Sequence, residues 1–189
     1  MADQQSSAAI WVLDSSTFIH AMIVDRVPLL VLLRSPLFFP EYVFRFELGV
    51  DARDATRDHA ADQVARKRIG VQHLTLSDLD RIASFDAPRK IGLGELACAV
   101  IAERLAGGVL CDDWRAKAWL EHRMTPLRWD SIEWVLLDAA AEGCIGELDL
   151  VDSQRVLERN QYSCRGDLQL IHLQRQMQLR RESTVVDHP

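Results

Sequence analysis

Two short apolar runs, Ile10-Trp11-Val12-Leu13 and Val109-Leu110-Cys111, each break off at an aspartate where helix-forming sequence begins. A run of three or four apolar residues bounded by capping residues is what a strand buried on both faces looks like, and such strands belong to parallel sheets covered by helices. After the first run, Asp14-Ser15-Ser16-Thr17 can cap a helix in which Phe18, Ile19, Met22 and Ile23 recur at helical spacing, with Pro28 interrupting or restarting it before Leu33. After the second, Asp112-Asp113 precedes a helix expected over 114–122. Both runs therefore deliver carboxylates to the C-terminal ends of strands, where open parallel sheets form their sites.

The same alternation continues along the chain. Leu37-Phe38-Phe39-Pro40 reads as a second strand stopped by proline, and Val43, Phe46, Glu47 and Val50 then fall at intervals of three and four on one helix face. The strongly charged stretch 51–70 favours a solvated helix ending at Gly70. A third strand is expected over 71–76, with Ser77-Asp78 capping a short helix through Phe85. Gly92-Leu93-Gly94-Glu95 opens the segment 96–106, apolar almost all round, which implies a central helix packed on the sheet and ended by Gly107-Gly108. Further helices are expected over 131–142, from Asp152 and from Gly166. The fold class is α/β, a three-layer αβα arrangement with a mainly parallel central sheet.

With 189 residues, 48% of them hydrophobic, the chain can bury one substantial core. The expected division is a single domain over 10–179, with a flexible N-terminus at 1–9 and a frayed tail at 180–189. A formal charge of −6 excludes a protein that coats nucleic acid through a basic field, so any nucleic-acid contact must be local. The four cysteines, Cys98, Cys111, Cys144 and Cys164, form no Cys-x-x-Cys pair, which excludes a zinc knuckle or dithiol redox motif and suits buried thiols in a reducing compartment. No secretory signal opens the sequence, and the apolar stretch 18–33 is broken by His20, Asp25, Arg26 and Pro28. A cytoplasmic protein without a membrane span is expected.

Asp14, Glu95 and the Asp112-Asp113 pair are the candidate metal ligands, with Glu47 beside them. Carboxylates packed together repel, and some would take up protons unless a hard cation such as Mg²⁺ or Mn²⁺ joined them. Such ions take oxygen ligands and keep waters, and in phosphodiester cleavage one can activate water while a second, about 3.5 to 4 Å away, stabilises the leaving oxygen. Each acid also has a plainer reading. Asp14 can be only a helix N-cap, Glu95 only a first-turn helix acid, Glu47 a surface charge, and one of Asp112 and Asp113 the cap of the helix at Trp114.

Four pieces in order, Val12-Leu13-Asp14-Ser15-Ser16, then Pro40 through Glu47-Leu48, then Leu93-Gly94-Glu95, then Leu110-Cys111-Asp112-Asp113-Trp114-Arg115-Ala116-Lys117, resemble PIN-domain proteins, in the branch similar to VapC-like toxins of toxin–antitoxin pairs. The likeness spans roughly 10–146 and extends more weakly into the C-terminal helices. It implies a Mg²⁺- or Mn²⁺-dependent ribonuclease in which Asp14, Glu47, Glu95 and one or both of Asp112 and Asp113 take the family's acidic places. It further implies an RNA substrate and a small antitoxin partner. In that scheme Glu95 completes the metal sphere, Glu47 holds an outer water or second ion, and Arg115 and Lys117 meet substrate phosphate. Lys117 stands where relatives often show arginine, and Trp129-Asp130-Ser131 replaces a more glycine-rich turn. An apolar helical surface around Trp114, Trp119, Leu120, Trp129 and Trp134 is where an antitoxin helix or a second copy, giving a homodimer, would pack.

Three rival readings differ from this one at particular residues. A HAD-like phosphotransferase needs a second aspartate where Ser16 stands. A dinucleotide-binding fold of Rossmann type needs glycines directly after the first strand, and none is there. A non-catalytic PIN-like module that binds protein or RNA keeps every acid and is separated from the nuclease only by whether metal binds.

Overall fold

The computed structural model describes residues 9–124 and 127–185, with side-chain surroundings through residue 179. The elements run β1 (Trp11–Leu13), α1 (Ser15–Ile23), α2 (Val27–Leu33), β2 (Leu37–Pro40), a π-helix (Val43–Asp51), α3 (Asp54–Ala65), β3 (Ile69–Gln72), α4 (Leu76–Ala83), α5 (Leu93–Arg104), β4 (Gly108–Leu110), α6 (Trp114–Glu121), β5 (Arg128–Asp130), α7 (Ile132–Ala141), α8 (Glu147–Arg159) and α9 (Leu168–Val185). The five strands make one all-parallel sheet in the order β3-β2-β1-β4-β5, flanked by helices in the three-layer α/β arrangement. Among the described residues no helix is long and apolar enough to cross a membrane.

The strand order places β1 at the centre and reverses direction there, since β2 and β3 build outward on one side and β4 and β5 on the other. Leu13 pairs with Leu110 and Leu110 with Asp130, so the strands end level with one another. The ladder continues one residue further, where Asp14 donates its amide to the Leu110 carbonyl at 2.9 Å and Cys111 donates to that of Asp130 at 3.0 Å. Asp14 and Asp112 thus flank the reversal point at the C-terminal edge of the sheet, the place where such folds open a crevice.

Val12, Leu13, Phe18, Phe39 and Leu110 are fully buried, and Phe18 meets Phe39 edge to face at 5.2 Å. α5 lies across β1, β2 and β4, and eight of its residues from Gly94 to Ala102 are buried, which explains its unbroken apolar composition. A second apolar cluster joins α5 to α6 through Leu96, Val100, Ala116 and Leu120.

Several boundaries differ from the sequence expectation. The segment after β2 is a π-helix, so the buried pair is Val43 and Leu48, five apart, while Phe46 and Val50 are exposed. Spacing by three and four selected the wrong face. α3 stops at Ala65 and turns at Lys67, which has φ 57°, so Gly70 does not end the helix. It lies inside β3, where a Cβ would sit 2.5 Å from Phe38 Cδ1. The third strand accordingly ends at Gln72, and Thr75 rather than Ser77 caps α4, in a reciprocal box with Asp78.

β5, Arg128-Trp129-Asp130, was not expected as a strand. It is a three-residue edge strand with two charged residues and no apolar run to announce it. α8 begins at Glu147 and α9 at Leu168, and α9 continues to Val185, into the segment expected to be a frayed tail. The expected flexible N-terminus falls almost wholly outside the described residues.

Candidate functional site

Asp14 leaves β1 and caps α1, its Oδ2 accepting from the Ser16 amide at 3.2 Å and from Ser16 Oγ at 2.5 Å. The residue is only 3% exposed, and no cationic side chain among the described residues pairs with it. Burial is the largest influence on this carboxyl and raises it. The Ser16 hydroxyl opposes that rise, whereas the charges of Glu95 and Glu47 add to it, and the group is pushed up to about 7 from its ordinary 3.8. The N-cap reading is thus correct, yet it accounts for only part of this residue's surroundings.

Glu95 stands in the first turn of α5, half-buried. Burial raises its carboxyl first, and the charges of Glu47 and Asp113 raise it further, against the backbone amides of Glu95 itself and Gly92. Glu47 arrives from the π-helix, where Ser15 Oγ donates to its Oε2 at 2.6 Å. Its other oxygen lies over Gly94, where an added Cβ would overlap Glu47 Oε1, and a Cβ on Gly92 would sit 2.5 Å from Glu95 Oε2. The two glycines of Gly92-x-Gly94-Glu95 therefore leave room for two carboxylates at one helix start. Acids from three chain segments, Asp14, Glu47 and Glu95, repel one another here, and Glu95 also feels Asp113.

The Asp112-Asp113 pair divides. Asp113 caps α6, its Oδ1 accepting from the amides of Arg115 at 2.7 Å and Ala116 at 3.2 Å. The Asp112 carboxylate, whose side chain is 2% exposed, is bound at both oxygens, Oδ2 to His20 Nδ1 at 2.6 Å and Oδ1 to the Ile132 amide at 2.9 Å. In this arrangement, among the described residues, no three His, Cys, Asp or Glu side chains form a ready-made cage for a metal ion. The donor set suits a hard cation in type and charge. Closing it would require carboxylate rotation away from serine and backbone partners.

Beneath the acids lie Cys98 and Cys111, both buried, their thiols pushed well up by burial and then by Asp14. Cys111 Sγ donates weakly to Asp14 Oδ2 at 4.0 Å and to the Asp113 carbonyl at 3.9 Å. Cys144, by contrast, is exposed and Cys164 half-buried, so the expectation of four buried thiols holds for two.

Beside Asp112 a cleft of about 500 Å³ is lined by Trp114, Lys117, Tyr162, Cys164 and Arg165. Lys117 reaches it, with Glu121 at 3.7 Å as its ion-pair partner, whereas Arg115 is exposed over the Trp114 ring and does not line it. Tyr162 donates to the buried Glu133 at 2.9 Å and meets the His20 ring edge-on at 4.6 Å. The apolar surface expected around the tryptophans is not one patch. Leu120 is fully buried, Trp119 and Trp129 pack partly buried against the core, and the exposed Trp114 and Trp134 open into different clefts.

Ser15, Ser16, His20, Tyr162 and Arg165 were not singled out as site residues from sequence. One signal was available for two of them: Ser16 and His20 are four apart on α1 and so share a face, and both reach Asp112, Ser16 Oγ accepting its amide at 3.4 Å. No protein-family model, curated protein or solved structure matches the chain.

Proposed function

We propose that the chain is a metal-dependent ribonuclease of PIN type. The observation that carries this reading is the meeting of Asp14, Glu47 and Glu95, from the end of β1, the π-helix and α5, at the sheet's reversal point, with no cationic side chain among the described residues to pair with Asp14. Asp14, Glu95 and Asp113 are the residues that would hold Mg²⁺ or Mn²⁺, with Glu47 kept close by Ser15. A cation bound there supplies charge neutralisation and an activated water for phosphodiester hydrolysis. The chain itself does the positioning. Lys117 and Arg165 in the adjoining cleft offer positive charge to an RNA backbone, and His20 with the Ile132 amide fixes the end of β4.

A small antitoxin or a second copy is proposed as partner on the strength of the family resemblance. Leu170, Leu173 and Met177 form an exposed apolar stripe on α9 of the kind an amphipathic helix covers. One observation favours a second reading, a PIN-like binding module without turnover: among the described residues no three His, Cys, Asp or Glu side chains are already arranged to hold a metal ion.

The deciding experiment is cleavage of a mixed RNA pool with Mn²⁺ by the chain and by Asp14→Asn, beside Mn²⁺ calorimetry on both. Cleavage and Mn²⁺ heat lost together in the variant support the nuclease. Full cleavage by Asp14→Asn would refute it, and RNA binding without any Mn²⁺ heat would establish the module.

A further inference from the structure

A second cleft of about 720 Å³ opens near the other end of the central strand, lined by residues that the acidic site does not use. Trp11, the first residue of β1, and Arg128, the first of β5, line it together with Asp130 at the end of β5, Arg34 after α2, Trp134 and Asp138 of α7, and Arg175 of α9. Its volume falls within the range of small-molecule sites, roughly 300 to 1,000 Å³.

The cleft has more positive charge than its own carboxylates neutralise. Arg34 is buried and fully engaged, its Nε on Asp130 at 2.6 Å and its Nη2 on Asp138 at 2.5 Å. Arg175 shares Asp138 at 3.2 Å. Arg128 makes no ion pair with any described residue and is exposed, its guanidinium stacked over the Trp11 ring at 5.3 Å. Three guanidiniums thus face two carboxylates, in a chain whose net charge is −6.

One of these cations also lies over an indole that reaches the cleft surface. Arg175 lies over Trp134 at 4.4 Å, with that indole 37% exposed, whereas Trp11, with Arg34 at 5.5 Å from its ring centre, is buried. Guanidinium planes backed by indoles are the surfaces on which nucleobases stack, and a guanidinium edge is a bidentate donor to phosphate. We propose that this cleft binds a nucleoside monophosphate, its phosphate on Arg128 and its base against the Arg175–Trp134 pair. The nucleotide is either free or the 5′ end of an RNA. Because the cleft shares no lining residue with the acidic cluster, the proposal stands whether or not the chain is a nuclease.

The test is calorimetric titration of the full chain, metal-free, with adenosine 5′-monophosphate, and separately with inorganic phosphate, adenosine and a 5′-phosphorylated diadenosine RNA. The monophosphate binds at least about tenfold tighter than phosphate or adenosine alone, and Arg128→Ala weakens it by at least about tenfold, the loss of one charge-assisted contact. Arg128 is exposed, so the variant folds, which thermal melting verifies. Arg128→Lys retains part of the affinity, and Asp14→Asn leaves it unchanged. A tighter complex with the dinucleotide assigns the site to an RNA end, and equal affinity to free nucleotide. Absence of binding in the millimolar range overturns the proposal. So does equal affinity for inorganic phosphate, binding indifferent to Arg128→Ala, or binding lost in Asp14→Asn.

Discussion

Asp14 should make this protein less stable as pH rises, and Asp14→Asn should remove that dependence. Its carboxyl titrates near 7 in the folded chain and near 3.8 when exposed. Below the lower value both states are protonated and there is no penalty. Between the two the folded state holds more protons than the unfolded, so stability falls with rising pH, and above 7 the loss is complete at about 4 kcal/mol. From about pH 5 to about pH 8 the expected change is roughly 2 to 3 kcal/mol. Asparagine keeps the helix cap, because its side-chain oxygen can still accept from the Ser16 amide, but it carries no charge to desolvate. Urea unfolding in EDTA at both pH values measures the effect. The variant should match the parent at the lower pH to within about 2 kcal/mol and exceed it clearly at the higher. Parallel pH profiles for the two proteins would show that Asp14 ionises without cost and would remove the electrostatic argument for a cation. Adding Mn²⁺ at the higher pH should stabilise the parent, by about 2.7 kcal/mol at a hundredfold excess over its dissociation constant, and leave Asp14→Asn unmoved.

Gly94→Ala would press a methyl group onto Glu47 Oε1, so it should displace Glu47 and abolish Mn²⁺ heat for about 1 to 3 kcal/mol of stability, read by calorimetry and urea unfolding. Arg34→Met removes the cation that Asp130 and Asp138 share. It should cost about 3 to 5 kcal/mol, and more at high pH because burial already raises the Asp130 carboxyl while Arg34 lowers it. Thr75→Ala should cost about 1 kcal/mol and increase hydrogen exchange in the first turn of α4, which would place the start of that helix at Thr75 rather than Ser77.

What the sequence made legible follows physical periodicity. β1, β2 and β4 are short apolar runs cut off by acid or proline, and the buried composition of α5 announces its central place. Edge position hid β5, because a strand paired on one side needs no apolar run and Arg128 can face solvent. An α-helical repeat places Glu47 beside the buried face, but the segment is a π-helix, and Glu47 reaches the acids through a turn of different period. Gly92 and Gly94 could be counted but not interpreted, since their function is to leave space for side chains from elsewhere. His20 looked like an interruption of an apolar stretch, and only the sheet register brings it to Asp112, 92 residues away.

The doubled aspartate after β4 illustrates how backbone geometry separates neighbouring charges. Successive side chains in extended chain point to opposite sides, and Asp113 is still extended, with φ −78° and ψ 96°. Asp112 therefore turns to one side, where His20 of α1 and the amide of Ile132 at the start of α7 take both its oxygens. Asp113 turns to the other, spends one oxygen on the amides that open α6, and contributes its charge to Glu95 of α5. Asp112 thus ties β4 to the helices on its side, and Asp113 is the acid of the pair whose charge reaches Glu95.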